Sequence, residues 1–151
     1  SHFNFSFPEP MGVIAVLAPR QSALLGLTAA IMPCIAGGNT VVVLAAEKMP
    51  LTAVEFAEVI HASDVPAGTV NILTGKEQEL AKEMGSHMDV NAVVTLNDDQ
   101  VLSGKLGELA SLNVKRVLNW SRLMRTGKSK GDPYAIMDLQ EIKTTWHPVG
   151  M

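Results

Sequence analysis

Gly38-Asn39-Thr40-Val41-Val42-Val43-Leu44-Ala45-Ala46-Glu47 decides the fold of this chain. The Gly-Asn pair reads as a turn, Thr40 to Ala45 as a β-branched strand, and Glu47 as an acid at the strand's carboxyl end. In an open α/β sheet that end is where ligands bind.

Upstream, Val13 to Ala18 is an apolar run closed by Pro19, as a buried parallel strand would be. Ser22 is placed to cap a helix over Ala23 to Ala36, with Pro33 kinking it near its end and Gly37-Gly38 stopping it. Downstream, Pro50 opens a helix over Leu51 to Ala62, with Val54, Ala57 and Ile60 on its apolar face. Pro66-Ala67-Gly68 turns the chain into a strand over Thr69 to Leu73, and a short charged helix follows over Glu77 to Met84. A strand over Ala92 to Thr95 leads to Asn97-Asp98-Asp99, read as a cap plus an acidic first turn. That helix runs to about Leu112 with Val101, Leu102, Leu106 and Leu109 as its stripe, and Val114 to Trp120 is the last strand of the series. Strands and helices alternating on short links predict an α/β, Rossmann-like open parallel sheet of about five strands with helices on both faces.

After Trp120 the pattern breaks. Residues 1–121 read as the Rossmann-like unit, 122–133 as a basic linker with Arg122, Arg125, Lys128 and Lys130, and 134–151 as an extended tail strand. Glu141, Ile142, Lys143, Thr144, Thr145 and Trp146 alternate as a strand does.

Composition bounds the function. Hydrophobic residues at 47% and charged residues at 18% specify a globular domain rather than a disordered chain. The net charge of -3 offers no general attraction to nucleic acid or to an anionic membrane, so neither is expected as a partner. The longest apolar run, Ala23 to Ala36, falls short of the roughly 20 residues of a membrane span. No signal peptide is visible, and Cys34, alone, precludes an internal disulfide; a cytoplasmic location is the expectation. His2, His61, His87 and His147 lack metal-ligand spacing, so no metal is expected. Gly127-Lys128-Ser129 lacks the upstream glycine of a phosphate loop, since Arg122 stands there. The basic linker reads as solvated, with no aromatic interleaved except Trp120 at its start.

The order of motifs resembles the cofactor-binding domain of the aldehyde dehydrogenase superfamily. The carrying residues are Glu9-Pro10-Met11-Gly12-Val13, Gly38-Asn39-Thr40-Val41-Val42, Pro50-Leu51-Thr52-Ala53, Pro66-Ala67-Gly68-Thr69-Val70-Asn71, Lys115-Arg116-Val117 and the tail from Glu141 to Trp146. The resemblance covers nearly the whole chain. It implies NAD(P) chemistry on aldehydes, a dimer contact through the helix carrying Ser103, Gly104 and Gly107, and a tail strand that joins subunits.

The departures fall at the chemistry. Where the family has Pro-Trp-Asn, whose asparagine helps hold an oxyanion, this chain has Pro19-Arg20-Gln21. Where the family holds the adenosine ribose with Lys-Pro-x-Glu, this chain has Leu44-Ala45-Ala46-Glu47. Gly75 is followed by Lys76-Glu77, and Phe-Thr-Gly-Ser becomes Thr95-Leu96-Asn97-Asp98, so acids stand where a pyrophosphate approaches. Trp120 stands at the general base position and accepts no proton. The domain that carries the catalytic cysteine has no counterpart between the last strand and the tail, and Cys34 on an apolar helix reads as a buried inert thiol.

These departures predict a non-catalytic aldehyde dehydrogenase-like scaffold for oligomerisation or partner binding. Its catalytic positions, Gln21 and Trp120, are degenerate, and the vestigial pocket comprises Ala18, Pro19, Leu44, Ala46, Glu47, Gly75 and Asn97. No cofactor is expected, or weak NAD(P). The expected partner is another copy or an aldehyde dehydrogenase module in the same or a partner chain. The alternative is the NAD(P)-binding part of an aldehyde dehydrogenase, an oxidoreductase whose cysteine and base lie in another domain or chain.

Overall fold

The structure, a computed structural model, describes residues 2–122 and 133–150. The elements run β1 (His2–Pro10), β2 (Val13–Leu17), α1 (Ala23–Ala36), β3 (Thr40–Leu44), α2 (Pro50–His61), β4 (Val70–Leu73), α3 (Glu77–Ser86), β5 (Ala92–Thr95), α4 (Gln100–Ser111), β6 (Arg116–Asn119), α5 (Pro133–Met137) and β7 (Gln140–Pro148). Five strands form a parallel sheet in the order β4-β3-β2-β5-β6. The chain winds from β2 outward to β4, then returns to β5 on the other side of β2, so the order reverses between β2 and β5.

Alternate strand residues face opposite layers. Ile14, Val16, Val41, Val43, Ala92 and Val94 pack with Leu27, Ile31 and Cys34 of α1, Ala53 of α2, and Ala135 and Leu139 of the tail. Ala15, Leu17, Leu44 and Val93 pack on the other face with Ala81 and Met84 of α3 and Leu106 of α4. Each fully buried valine, leucine or isoleucine side chain among these contributes about 1.5–3 kcal/mol. Cover on both faces is why these strands carry no polar alternation.

The Gly38-Asn39 turn has a specific use. Gly38 takes φ +82, in the left-handed region that glycine tolerates, and turns the chain out of α1. Asn39, 1% exposed, accepts from Gly12 N at 3.0 Å and donates to Cys34 O and Leu139 O at 3.3 and 3.1 Å. One amide thus joins the start of β2, the end of α1 and the tail.

Several expectations are corrected. Val54 faces solvent, and α2 buries Ala53 instead. Val101 is exposed, and α4 buries Leu106 and Ala110. Asp99 rather than Asn97 caps α4, accepting from Leu102 N at 3.0 Å, and no acid occupies that helix's first turn. The last sheet strand begins at Arg116, because Val114 takes φ 57 and breaks the extended run. This twist lets Lys115 Nζ donate to His87 O at 2.6 Å, at the carboxyl end of α3, where a cation is favoured.

The tail differs most. A short helix opens it at Pro133. Within the chain, β7 pairs antiparallel with β1, from His2↔Pro148 to Pro10↔Gln140, as a separate two-stranded ribbon. The stretch before it is pinned to the body. Trp120 Nε1 donates to Asp138 Oδ2 at 3.1 Å, Arg116 Nη1 donates to Asp138 O and Gln140 O, and Gln140 Nε2 donates to Gly37 O at 2.8 Å. The linker basics Arg125, Lys128 and Lys130, and Gly127-Lys128-Ser129, lie outside the described residues.

Candidate functional site

The reversal between β2 and β5 places a crevice at the strands' carboxyl ends, the usual ligand position in this architecture. Arg20 follows β2 into it, while the ring of Pro19 before it lies where a side chain on Gly26 would be. Gly26 is required there, because an added Cβ would stand 2.1 Å from Pro19 Cγ.

Arg20 dominates the crevice. Its Nε donates to Glu77 Oε1 and Oε2 at 3.1 and 3.2 Å, and Nη2 donates to Glu77 Oε1 as well. The same Nη2 donates to Asp99 Oδ2 at 3.0 Å. Glu77 stands in the first turn of α3 and Asp99 caps α4, so one guanidinium joins the amino ends of two helices. Asn97, 6% exposed, fixes the base of the cluster. Its Oδ1 accepts from Arg20 N at 3.0 Å, and its Nδ2 donates to Ala18 O and Glu77 Oε2, each at 3.2 Å. Glu47 Oε2 accepts from Glu77 N at 3.2 Å, occupying one of the free amides of α3.

The electrostatics follow from these bonds. The Leu102 amide, and then Arg20, hold the Asp99 carboxyl below its ordinary range. Glu77, and then Asp99, hold the Arg20 guanidinium protonated beyond its already high range. Three carboxylates, Glu47, Glu77 and Asp99, thus take up helix-end positions that suit an anion.

Two clefts flank the cluster, and Arg20 with Glu77 lines both. One, of about 690 Å³, runs between α3 and α4 along Lys82, Leu102, Lys105 and Leu109. The other, of about 630 Å³, lies over the end of β3 along Gln21, Glu47, Lys48 and Lys76.

The sequence-expected residues scatter relative to these clefts. Glu47 and Gln21 line the second cleft. Ala18, Pro19, Leu44 and Ala46 are buried, and Leu44 packs in the α3 and α4 layer at 2% exposure. Gly75 sits in an exposed turn against Leu80, and Asn97 holds the loop rather than facing the clefts. Trp120 is 5% exposed and packs under the tail helix. Cys34 is fully buried, and desolvation pushes its thiol up to about 12. Ser103 Oγ accepts from Asn119 Nδ2 at 3.2 Å, whereas Gly104 and Gly107 face open space. Glu141 to Trp146 lie in β7, where Lys143 Nζ and Glu141 Oε2 pair at 2.6 Å.

Sequence reasoning missed the Arg20 cluster. Its signal was available: an arginine after β2, with acids opening the two helices that face it. Among the described residues, no group of three or more acidic, histidine or cysteine side chains is placed to hold a metal. No helix among them is long and apolar enough to cross a membrane.

The sequence model of the aldehyde dehydrogenase family matches residues 1–119. Aldehyde dehydrogenase 1A1 of Rattus norvegicus is 39% identical over 139 residues, which cover 91% of this chain and 26% of that protein. Hydroxyisobutyraldehyde dehydrogenase of Mycolicibacterium austroafricanum is 40% identical over 90 residues, 60% of this chain and 18% of the relative. Among solved structures, an indole-3-acetaldehyde dehydrogenase in apo form superposes with TM-score 0.73 at 33% identity, covering 78% of this chain and 28% of that one. Aldehyde dehydrogenase C of Pseudomonas syringae, solved with NAD+ and octanal, superposes with TM-score 0.71 at 30% identity, covering 77% of this chain and 24% of that one. The chain spans between 18% and 28% of the length of these relatives.

Proposed function

The chain belongs to the aldehyde dehydrogenase family, and we propose that this stretch of it works as a non-catalytic assembly module rather than as a dinucleotide site. The observation that carries the reading is the Arg20–Glu77–Asp99 cluster. A dinucleotide would bring a diphosphate to the helix ends at the strand reversal. The residues present do not fit it: Glu77 and Asp99 already satisfy the one guanidinium, Glu47 takes the Glu77 amide, and the three carboxylates repel a polyanion.

The catalytic positions argue the same way. Trp120 is buried and bonded to Asp138, so no proton acceptor stands at the base position. Cys34 has no solvent access and stays a thiol at neutral pH. What the chain offers outward is its ribbon, with apolar side chains on both faces.

A second reading keeps weak NAD(P) binding, as part of an enzyme whose cysteine and base lie elsewhere. The open cleft between α3 and α4, with its apolar floor and lysine rim, is the observation that favours it. Isothermal titration of the 151-residue chain with NAD+ and NADP+ decides between the two. The assembly reading expects no saturable binding up to about 1 mM; a micromolar Kd overturns it.

A further inference from the structure

We infer that the trough between α3 and the β3–β4 flank of the sheet binds a small aliphatic ammonium ion, with its tail against the sheet and its charge on Glu83 and Asp89. This site goes beyond the assembly reading and stands whether or not that reading holds.

The trough follows from the winding of the chain. On one face of the sheet α1 packs on β3 and α2 on β4. On the other, α3 runs from β4 back towards β5 and packs on β2. The flank of β3 and β4 beside it ends in a cavity of about 290 Å³. Val13, Val42 and Leu73 line it from the strands, and Leu80 and Met84 line it from α3. Val13, Val42 and Leu80 are half-buried and Leu73 is 38% exposed, although strands of a parallel sheet are normally closed on both faces. An apolar hollow left open to water gains from any apolar chain that fills it.

Size and charge name the occupant. At about 30 Å³ for each water-sized atom, the cavity holds roughly ten non-hydrogen atoms. That suits a chain of about eight carbons with a small head group, and it is too small for the row of anchors by which a helix docks. The polar residues lining it are Glu83, His87 and Asp89, and no lysine or arginine lines it. Among the described residues, neither carboxylate has a hydrogen-bond or ion-pair partner. His87 Nδ1 accepts from Asp89 N at 3.3 Å, which ties the ring to the backbone beside that acid. The neighbouring cations are engaged elsewhere: Lys115 Nζ donates to His87 O at 2.6 Å, and Lys82 lines the cleft between α3 and α4. A cationic head therefore meets two carboxylates here, and an anionic head meets repulsion.

Methyl-resolved NMR titration of the full chain with octylammonium, 1-octanol and octanoate tests this. Octylammonium should bind with a Kd on the order of 1 mM, shifting Val13, Val42, Leu73, Leu80 and Met84. The alcohol should bind about five- to tenfold more weakly, and octanoate more weakly still. Glu83→Gln with Asp89→Asn should bring octylammonium down to the affinity of the alcohol. Glu55→Gln with Glu58→Gln removes as much charge from the exposed side of α2 and should leave it within about twofold. All four exchanged side chains are exposed, so the fold is kept in both variants. Equal affinity for the three probes, no binding at about 10 mM, or shifts confined to the cleft between α3 and α4 overturns the site. So does an octylammonium affinity indifferent to the Glu83 and Asp89 exchange. Val42 and Leu73 methyls that become protected in the free chain as its mass rises with concentration would assign the trough to a second copy and overturn the ammonium site as well.

Discussion

Arg20 Nη2 and Asp99 Oδ2 stand 3.0 Å apart, and that contact ties the end of β2 to the cap of α4. The same guanidinium reaches Glu77 at the start of α3. The arginine thus occupies the charge of two helix ends at once, where a free anion would otherwise bind. Whether this crevice accepts a ligand depends on those two carboxylates.

Neutralising them should open it. Glu77→Gln combined with Asp99→Asn leaves Arg20 with no anionic partner beside two helix amino termini. The double variant should bind inorganic pyrophosphate measurably by calorimetry, while the parent chain does not. The stability loss should stay small, because the Arg20 side chain is 50% exposed and solvent screens the pairs. A double variant that ignores pyrophosphate refutes this account of the crevice.

Acid should weaken the fold through the same residue. The folded-state carboxyl of Asp99 lies below its ordinary 3.8, and that of Glu141, held by Lys143, lies below 4.5. A depressed carboxyl contributes stability above its unfolded value and loses it as pH falls through the folded one. The melting temperature should therefore hold near neutral pH and fall from about pH 4.5 downward. Asp99→Asn should flatten that fall; an unchanged slope counts against Asp99 as its source.

Leu44→Lys, which restores the family's lysine, should fail as a repair. Leu44 is 2% exposed within the layer under α3 and α4, and the cleft over β3 is lined by Glu47 and Lys48 instead. An ammonium there is buried without a partner, at a cost of about 3 kcal/mol. The urea midpoint should drop by about 1–2 M, with no gain in NAD+ affinity.

Trp120 should behave as a latch. Trp120→Phe removes the bond to Asp138 and should cost about 1–2 kcal/mol. Trp120→Glu, which rebuilds a carboxylate at the base position, sets a second acid beside Asp138 in a buried site and should cost more than about 3 kcal/mol. Denaturant melts of both variants check the order; a glutamate variant as stable as the phenylalanine one contradicts the latch.

The body of the fold was legible because its strands are written as apolar runs. Val13 to Ala18 and Thr40 to Ala45 each differ from the observed strands by one residue at the end. Asn97 misled because a local cap and a tertiary hydrogen-bond hub use the same side chain, and only the position of Arg20 N separates the two. β1 went unread although Phe3-Asn4-Phe5-Ser6-Phe7 alternates with period two, since Pro8 and Pro10 interrupt it. Its pairing with β7 joins residues at opposite ends of the chain, and no local pattern encodes that register. Val54 and Val101 failed for a related reason: the helical period fits more than one face, and contact with the sheet selects among them.

Val114 carries the last prediction. It is a β-branched residue at φ 57 and is 92% exposed, so it pays the left-handed cost without burying its side chain. The backbone holds there because the residues on either side are engaged. Lys115 Nζ binds His87 O, and Asn113 Nδ2 approaches His87 O and Met88 O at 3.5 and 3.4 Å. Replacing Val114 with asparagine keeps both neighbours in place and removes the branched Cβ from a conformation asparagine tolerates. Val114→Asn should therefore stabilise the chain by about 1 kcal/mol and raise the melting temperature by about 2–4 °C. Val114→Ile retains the branch and should give no gain. A Val114→Asn variant that melts at or below the parent temperature would show that the turn is not strained at this residue.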